Sequence, residues 1–159
     1  MNRELSVEFV DFLNRYLALF QEFFVLETQK YQDIAQGQIN KINEHVKAEE
    51  VFMLRSKGME AERERLLKRV DVPAATFREL LPHFDPEVKA QAEKLFEELS
   101  NITMELKEMN SRCNYLTELR LRRVDAALKK MNKQPELQKQ YDAKAKEETK
   151  SSGFISKKV

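Results

Sequence analysis

Apolar residues between Val88 and Leu116 alternate at spacings of four and three residues, and this pattern constrains the fold more than any other feature. The nine positions are Val88, Ala92, Leu95, Leu99, Ile102, Leu106, Met109, Cys113 and Leu116. A strict 4-3 repeat lies along one stripe of a helix and is buried by winding around a neighbouring helix. We therefore predict a long helix over about 86–131, and we expect the last seven positions, from Leu95 onward, to form its structural seam.

Two more helices are predicted before this one. Apolar residues recur at helical spacing at Phe9, Leu13, Tyr16, Phe20 and Phe23, which predicts a first helix over about 3–36. We expect these aromatic rings to pack in a core. A new apolar phase begins after Gly37 and predicts a second helix over about 38–69. Because glycine readily adopts the left-handed conformation that ends a helix, we expect a reversal there. One continuous helix is the alternative.

Three of the four prolines lie between residues 70 and 86. Their expected roles are a helix stop at Pro73, a stop at Pro82 after a short helix over 77–81, and a helix start at Pro86. Thr76 and Glu79 match the capping box that would open the short helix. The stretch therefore predicts a connection that returns the chain from the second helix to the third.

The predicted fold is all-α, an elongated antiparallel helical bundle or coiled coil of three main helices with a short helix in the 70–86 connection. We expect one bundle domain over 1–132, followed by a mobile basic tail over 133–159, where isolated apolar residues follow no period. Residues 1–119 carry 16 basic and 22 acidic side chains, whereas residues 120–159 carry 12 basic and 5 acidic ones. A basic tail can attract an acidic partner, although it is more often simply solvated.

The sequence contains little of what catalytic or metal-binding sites need. It has two histidines, one cysteine and three glycines, and His45 and His83 have no partners at ligand spacing. Cys113 lies on the seam, where we expect burial to raise the pKa of its thiol and make it unreactive. We predict no enzymatic activity, no metal site and no cofactor.

Several features predict a cytoplasmic protein. A lone cysteine cannot form an internal disulfide, which suits a reducing compartment. Acidic residues interrupt the N-terminal sequence, so it does not match a secretion signal, and no stretch approaches the roughly 20 apolar residues of a membrane span. We therefore expect no stable membrane insertion.

Beyond Leu116 the strict repeat meets Arg120 and Arg123, and the apolar residues move to another face of the helix. The apolar residues of this open face are Leu119, Val124, Ala127, Leu128 and Met131. Helices bind one another by laying such stripes together, which predicts an interaction module. Packing of these residues on the first helix or on a second copy is the alternative. The five internal methionines are interpreted mainly as core residues, although flexible thioethers also suit adaptable binding grooves.

The order of these parts resembles the FlgN-type flagellar export chaperones. The resemblance lies in the aromatic first helix, "GQINKINEHVKAEEVFMLRSKGMEAERERLLKRV" after the glycine turn, the "TFRELLP" insert and "EMNSRCNYLTELRLRRVDAALKKM" in the last helix. It covers about residues 5–132 and, through "QYDAKAK", part of the tail.

The resemblance implies a chaperone that binds the terminal helices of hook-filament junction proteins, prevents their premature assembly and delivers them to the flagellar export apparatus. It implies that client binding involves the C-terminal part, which maps onto Leu119, Leu121, Val124, Leu128 and Met131 as client-binding residues. It also makes Tyr141 a candidate contact with the export gate.

Two other functions remain open on the residues alone. The seam of the last helix suits a self-assembling coiled-coil scaffold or adaptor with no export role, in which the chain forms a homodimer. Membrane or nucleic-acid binding through the basic tail is weaker, because acidic residues dilute the lysines and no aromatic stacking platform accompanies them. We therefore predict no nucleic-acid partner.

Overall fold

All regular elements among the described residues are helical, which confirms the all-α prediction. The computed structural model describes residues 1–70, 76–133 and 135–151, apart from the side chains of 135, 137, 138 and 147–151. The α-helices are α1 (Arg3–Ala35), α2 (Ile42–Leu67), α3 (Phe77–Leu80), α4 (Pro86–Asn132) and α5 (Pro135–Ser151), with 3-10 turns at Ile39–Lys41 and Leu81–His83. The three main helices and the short helix between α2 and α4 are those predicted.

A glycine turn separates α1 from α2, so the alternative of one continuous helix is wrong. Gly37 has φ +74°, the left-handed conformation that closes a helix. Its N–H donates to the carbonyl of Ile34 at 3.1 Å, and the N–H of Gln38 donates to the carbonyl of Asp33 at 2.8 Å. These two bonds form a Schellman motif, which satisfies carbonyls that the end of α1 would otherwise leave unpaired.

Three ion pairs fix the register of the antiparallel hairpin formed by α1 and α2. Arg69 pairs with Glu8, Arg15 pairs with Glu62 at 2.5 Å, and Arg55 pairs with Glu22 at 2.5 Å. The members along each side are seven residues apart, which within a helix is close to two turns and places them on one face, and Arg69 lies in the turn just after α2. The charge alternates in sign along each helix, so a slip of one heptad would set like charges opposite each other.

The hydrophobic core joins one end of the α1–α2 hairpin to α3 and α4. Phe9, Phe12 and Leu13 of α1 are almost completely buried. Leu80 and Phe84 from the insert lie in the same cluster, and the ring of Phe84 lies 5.9 Å from that of Phe9. The insert therefore supplies part of the core. The other predicted core rings, Phe20 and Phe23 among them, are only half-buried.

The nine positions of the 4-3 repeat all lie on the protected face of α4. Ala92, Leu95, Leu106 and Cys113 are buried, and Val88, Leu99, Ile102, Met109 and Leu116 are half-buried. Ala92 and Leu95 belong to the same cluster as the core residues of α1, and the thiol of Cys113 lies 3.8 Å from the carbonyl oxygen of Glu27. From residue 88 to 113, α4 thus packs along α1 in the same direction.

The caps of the connection follow the sequence prediction where the structure describes it. The hydroxyl of Thr76 accepts from the Glu79 N–H, and the Glu79 carboxylate accepts from the Thr76 N–H. Asp85 caps α4 by accepting from the N–H of Glu87 at 3.0 Å. Pro82 lies inside the 3-10 turn rather than at its end. The predicted stop at Pro73 falls on residues 71–75, outside the described residues.

The chain divides into two units, Met1–Cys113 and Asn114–Val159. The division falls within α4, and the predicted domain boundary after residue 132 stays a prediction. In the second unit, α5 forms a helix where no periodic structure is predicted. Good helix formers such as glutamate, lysine, glutamine and alanine dominate its sequence, and Pro135 opens it at a position where proline is tolerated. Propensity rather than apolar periodicity explains this helix.

Candidate functional site

Four of the five predicted client-binding residues share one side of α4. Leu121, Val124, Leu128 and Met131 keep the 4-3 spacing, which places them within about 80° around a helix with 3.6 residues per turn. Leu121 is 61% exposed, Val124 43% and Leu128 41%, whereas Met131 is half-buried. Exposed large apolar side chains in one stripe are typical of a surface that binds another helix. We call these four residues the C-terminal face.

Leu119 does not belong to the C-terminal face. Two residues correspond to about 200° of helical rotation, so Leu119 lies about 160° around α4 from Leu121. It is half-buried. The resemblance placed Leu119 on one open face with the other four residues, and the uninterrupted helix puts it on a different side.

Tyr141 lies on α5 rather than in an irregular tail. Its side chain is 40% exposed, so the ring and its hydroxyl are accessible at the surface of the second unit. A tyrosine held on a helix presents an apolar ring and a polar tip together, which suits a contact surface. The assignment of Tyr141 to the export gate stays a prediction.

Sequence reasoning missed a second surface, an apolar groove between α2 and α4 with α1 as its floor. It consists of two adjoining cavities of about 480 and 410 Å³, which share Phe20, Thr103 and Lys107. The apolar side chains that line it are Phe12, Leu13, Tyr16, Phe20, Phe23, Phe52, Met53, Phe77, Phe96, Leu99, Met104 and Leu106. All of these residues lie in the first unit. We call this surface the α2–α4 groove.

Aromatic contacts hold the floor and the α2 wall of the groove together. The rings of Phe20 and Tyr16 meet edge to face at 4.8 Å, and the ring of Phe23 stacks on that of Phe52 at 3.8 Å. Phe20 also meets Phe52 edge to face at 5.9 Å. Since such pairs restrict the rings, the groove is shaped by packing before any partner arrives.

A buried charge cluster lies at one end of the groove. Lys30 of α1 donates to Glu27 and to Glu49 of α2. Burial raises the pKa of Glu27, and its hydrogen bond with Glu49 raises it further against the opposing effect of Lys30. For Glu49, burial also acts to raise the pKa, but hydrogen bonds with Glu27 and Lys30 outweigh it and lower the pKa. The pKa values of the two carboxyls are therefore shifted in opposite directions, that of Glu27 upward and that of Glu49 downward.

A second buried pair joins α1 to α2 one turn further on. Asp33 and His45 are both buried, and His45 Nε2 lies 2.7 Å from Asp33 Oδ2. Gln29 donates to the other carboxylate oxygen at 3.2 Å. The hydrogen bond with His45 lowers the pKa of Asp33. His45 is therefore a structural partner of Asp33, whereas His83 is exposed in the 3-10 turn before α4.

The described residues contain no cluster of three or more His, Cys, Asp or Glu side chains arranged to hold a metal ion. Among the same residues no helix is long and apolar enough to cross a membrane. Burial raises the pKa of the Cys113 thiol, which keeps it protonated and unreactive.

The methionines were the sequence signal for the groove. None of the five internal methionines is buried, and Met104 in the groove is 65% exposed. The interpretation of these residues as mainly core is wrong for Met53 and Met104, which line the groove instead. Helical spacing alone does not distinguish a groove from a core, because both need apolar stripes.

Comparison with protein families matches residues 1–149 of the chain to the family described as FlgN protein. No curated protein and no solved structure matches the chain. The match spans α1 to α4 and most of α5, so it includes the C-terminal face, the α2–α4 groove and Tyr141.

Proposed function

The chain belongs to the FlgN family of flagellar export chaperones, and we propose that it acts in the cytosol on hook-filament junction proteins. In this proposal it binds the terminal helices of a junction protein and prevents their premature assembly. It then delivers them to the flagellar type III export apparatus. The observation that carries the proposal is an exposed apolar stripe on α4 in a chain of this family.

The physical basis is the shielding of apolar helices before assembly. Terminal helices that become buried in a finished flagellum expose their apolar stripes beforehand, and such stripes associate prematurely. The C-terminal face offers a stripe of matching spacing, with Leu121, Val124 and Leu128 at its centre. Ordering of the partners on binding limits the affinity, which permits release at the export apparatus.

A binding titration with full-length protein tests the client site. The probe is a purified hook-filament junction protein with both terminal helical regions intact. We expect Leu121→Asp with Leu128→Asp to weaken its binding by at least about tenfold, because each substitution buries an unpaired charge in the complex. Leu54→Asp is the matched control, since Leu54 is 69% exposed on α2 and contacts neither surface described above.

The results separate the function from the location of its site. Failure of the wild-type chain to bind the junction protein would refute the chaperone proposal. Equal binding by the double variant and the Leu54→Asp control would instead remove the C-terminal face from the client site. Sedimentation of the free chain in the same series would show whether that face pairs with a second copy, as the self-assembling alternative requires.

Tyr141 has a separate test, because its proposed partner is the export apparatus rather than the client. Tyr141→Ala should leave the affinity for the junction protein unchanged and reduce secretion of that protein in a flagellated strain. Tyr141→Phe tests whether the ring is sufficient without its hydroxyl. A Tyr141→Ala strain that secretes the junction protein at the wild-type rate would exclude this contact.

A further inference from the structure

We propose that the α2–α4 groove is a second client-binding surface, which takes one amphipathic helix of about 14 residues bearing a carboxylate that pairs with Lys107. This inference rests on the proposed chaperone function and adds a site in the first unit. It also gives that site a chemical requirement. The site is separate from the C-terminal face, whose residues all lie in the second unit.

The dimensions of the groove match one helix. Its α4 wall extends from Phe96 to Asn110, which corresponds to about 21 Å at 1.5 Å per residue. Its α2 wall extends from Glu49 to Arg63, which is the same length. With α1 as the floor and α2 and α4 as the walls, an inserted helix would complete a four-helix arrangement over this stretch.

The lining requires an occupant with an apolar stripe. Phe52 and Met53 of α2 line one cavity with Leu106 of α4. Leu99 and Met104 of α4 line the other, and Phe20 of α1 lines both. Aromatic and methionine side chains adapt to different apolar partners and are typical of grooves that accept amphipathic helices. Anchors at i, i+3 or i+4, and i+7 of the client helix would meet this lining.

Lys107 supplies the charge requirement. It lines both cavities and is exposed, and among the residues that the structure describes it has no hydrogen-bond or ion-pair partner. The other cations of the lining are already paired, Lys30 with Glu27 and Glu49, and Arg63 with Glu60. A carboxylate on the client, flanked on both sides by apolar residues, would pair with Lys107 where the two cavities meet.

The charge of the groove argues against the chain's own C-terminal segment as the occupant. The lining holds three basic side chains and two acidic ones, so basic groups are in excess. Residues 120–159 carry 12 basic and 5 acidic side chains, so this segment has the wrong sign. An acidic amphipathic helix from another protein has the complementary charge.

The test uses full-length protein and the purified junction protein as the probe, with calorimetric titration as the readout. Met104→Glu should weaken binding by about tenfold or more, because it places a carboxylate on the apolar wall. Lys107→Glu should weaken binding about tenfold through charge reversal. The matched control is Lys47→Glu, since Lys47 is exposed on α2 about 160° around the helix from Glu49 and lies outside the groove. Circular dichroism melts establish that each variant remains folded.

A charge-swap experiment identifies the client carboxylate. Acidic residues in the terminal helices of the junction protein are changed one at a time to lysine and titrated against Lys107→Glu. One of these changes should weaken binding to the wild-type chain and restore binding to Lys107→Glu to within about threefold of the original affinity. Only a direct contact predicts this reciprocal rescue.

Four outcomes would overturn the inference, and they are distinguishable. Normal binding by folded Met104→Glu and Lys107→Glu would exclude the groove while leaving the chaperone function intact. Loss of binding without rescue by any charge swap would refute the Lys107 pairing. A free chain that sediments as a dimer and becomes a monomer in Met104→Glu would assign the groove to a second copy. Failure of the wild-type chain to bind the junction protein would remove both this inference and the function on which it rests.

Discussion

Gly37 and Gly58 differ in whether their backbone conformation requires glycine. Gly37 adopts φ +74° at the end of α1, where a side chain would crowd the backbone. Gly58 lies within α2, and a Cβ built there meets no atom within 4 Å. The first glycine is therefore required by its conformation, whereas the second only adds flexibility to the unfolded chain.

Alanine substitutions should separate these two roles. Gly37→Ala should lower the free energy of unfolding by about 1–2 kcal/mol, because alanine pays the cost of left-handed geometry. Gly58→Ala should raise it by about 0.5–1 kcal/mol through better helix propensity. Urea denaturation measures both. A stabilised Gly37→Ala protein would show that the turn does not require glycine.

The titration of Glu27 links the stability of the chain to pH. Its pKa in the folded chain is raised above the ordinary 4.5, mainly by burial. The folded state therefore holds this proton more tightly than the unfolded state, so the contribution to stability is present below pH 4.5 and is lost as pH rises through the folded pKa. Asp33 has the opposite effect. Because its pKa is lowered in the folded chain, its contribution to stability is present at pH values above its ordinary pKa and is lost as the pH falls.

Glu27→Gln should remove the pH dependence of stability that comes from Glu27. Glutamine keeps a donor toward Glu49 without a titrating proton, so the stability of the variant relative to wild type should increase as pH rises from 4.5 to neutral. Denaturation curves across that interval measure the difference, and Glu50→Gln on α2 serves as the matched control, since Glu50 is exposed. Parallel stability profiles for Glu27→Gln and wild type would contradict this assignment.

At the level of elements, the ion pairs along the α1–α2 hairpin affect its register more than its stability. Exposed ion pairs each add only about 0.2–1 kcal/mol, so they contribute little to total stability. Their alternating sign nonetheless penalises a heptad slip, which the apolar stripe alone would tolerate. The register of the hairpin, and with it the placement of Phe23 against Phe52, depends on this order.

The Arg15–Glu62 pair offers a direct test of that role. Arg15→Glu should destabilise the chain by about 1 kcal/mol, because it sets like charges across the hairpin and beside Asp11. Adding Glu62→Arg should recover about half of the loss. A double-mutant cycle by thermal or urea unfolding gives the coupling. A coupling of zero would mean that this pair does not contribute to the register.

At the scale of the whole molecule, the structural core and the proposed client face lie in different units. Every buried apolar side chain among the described residues lies between Leu5 and Cys113. The C-terminal face lies beyond that range, and its Leu121, Val124 and Leu128 side chains are exposed. The chain thus has a stretch whose apolar residues stabilise the fold and a stretch whose apolar residues remain available for binding.

A truncation after residue 118 should confirm this separation. The shortened chain should keep its free energy of unfolding within about 1 kcal/mol of the full chain, because all buried apolar residues remain. Leu95→Ala in the full chain is the positive control and should cost about 2–5 kcal/mol, since it leaves a cavity in the core. A truncated chain that is as unstable as Leu95→Ala would place part of the core beyond residue 118.

The sequence by itself determined the three main helices, the turn at Gly37, the capped insert and the seam of α4. Each of these depends on local chemistry: a left-handed glycine, a capping box, or apolar residues spaced for one face of a helix. Such signals act within a few residues along the chain, so they can be recognised in the sequence without knowledge of the tertiary structure.

Only the tertiary structure decided which apolar stripes became core and which remained open. Phe20, Phe23 and Met104 carry the same helical spacing as buried residues, yet they line a groove because no other described helix covers them. The pairing of Glu27 with Glu49 and of Asp33 with His45 likewise depends on which helices meet. Periodicity reports the face of a helix, whereas burial depends on what packs against that face, and that is a property of residues distant in sequence.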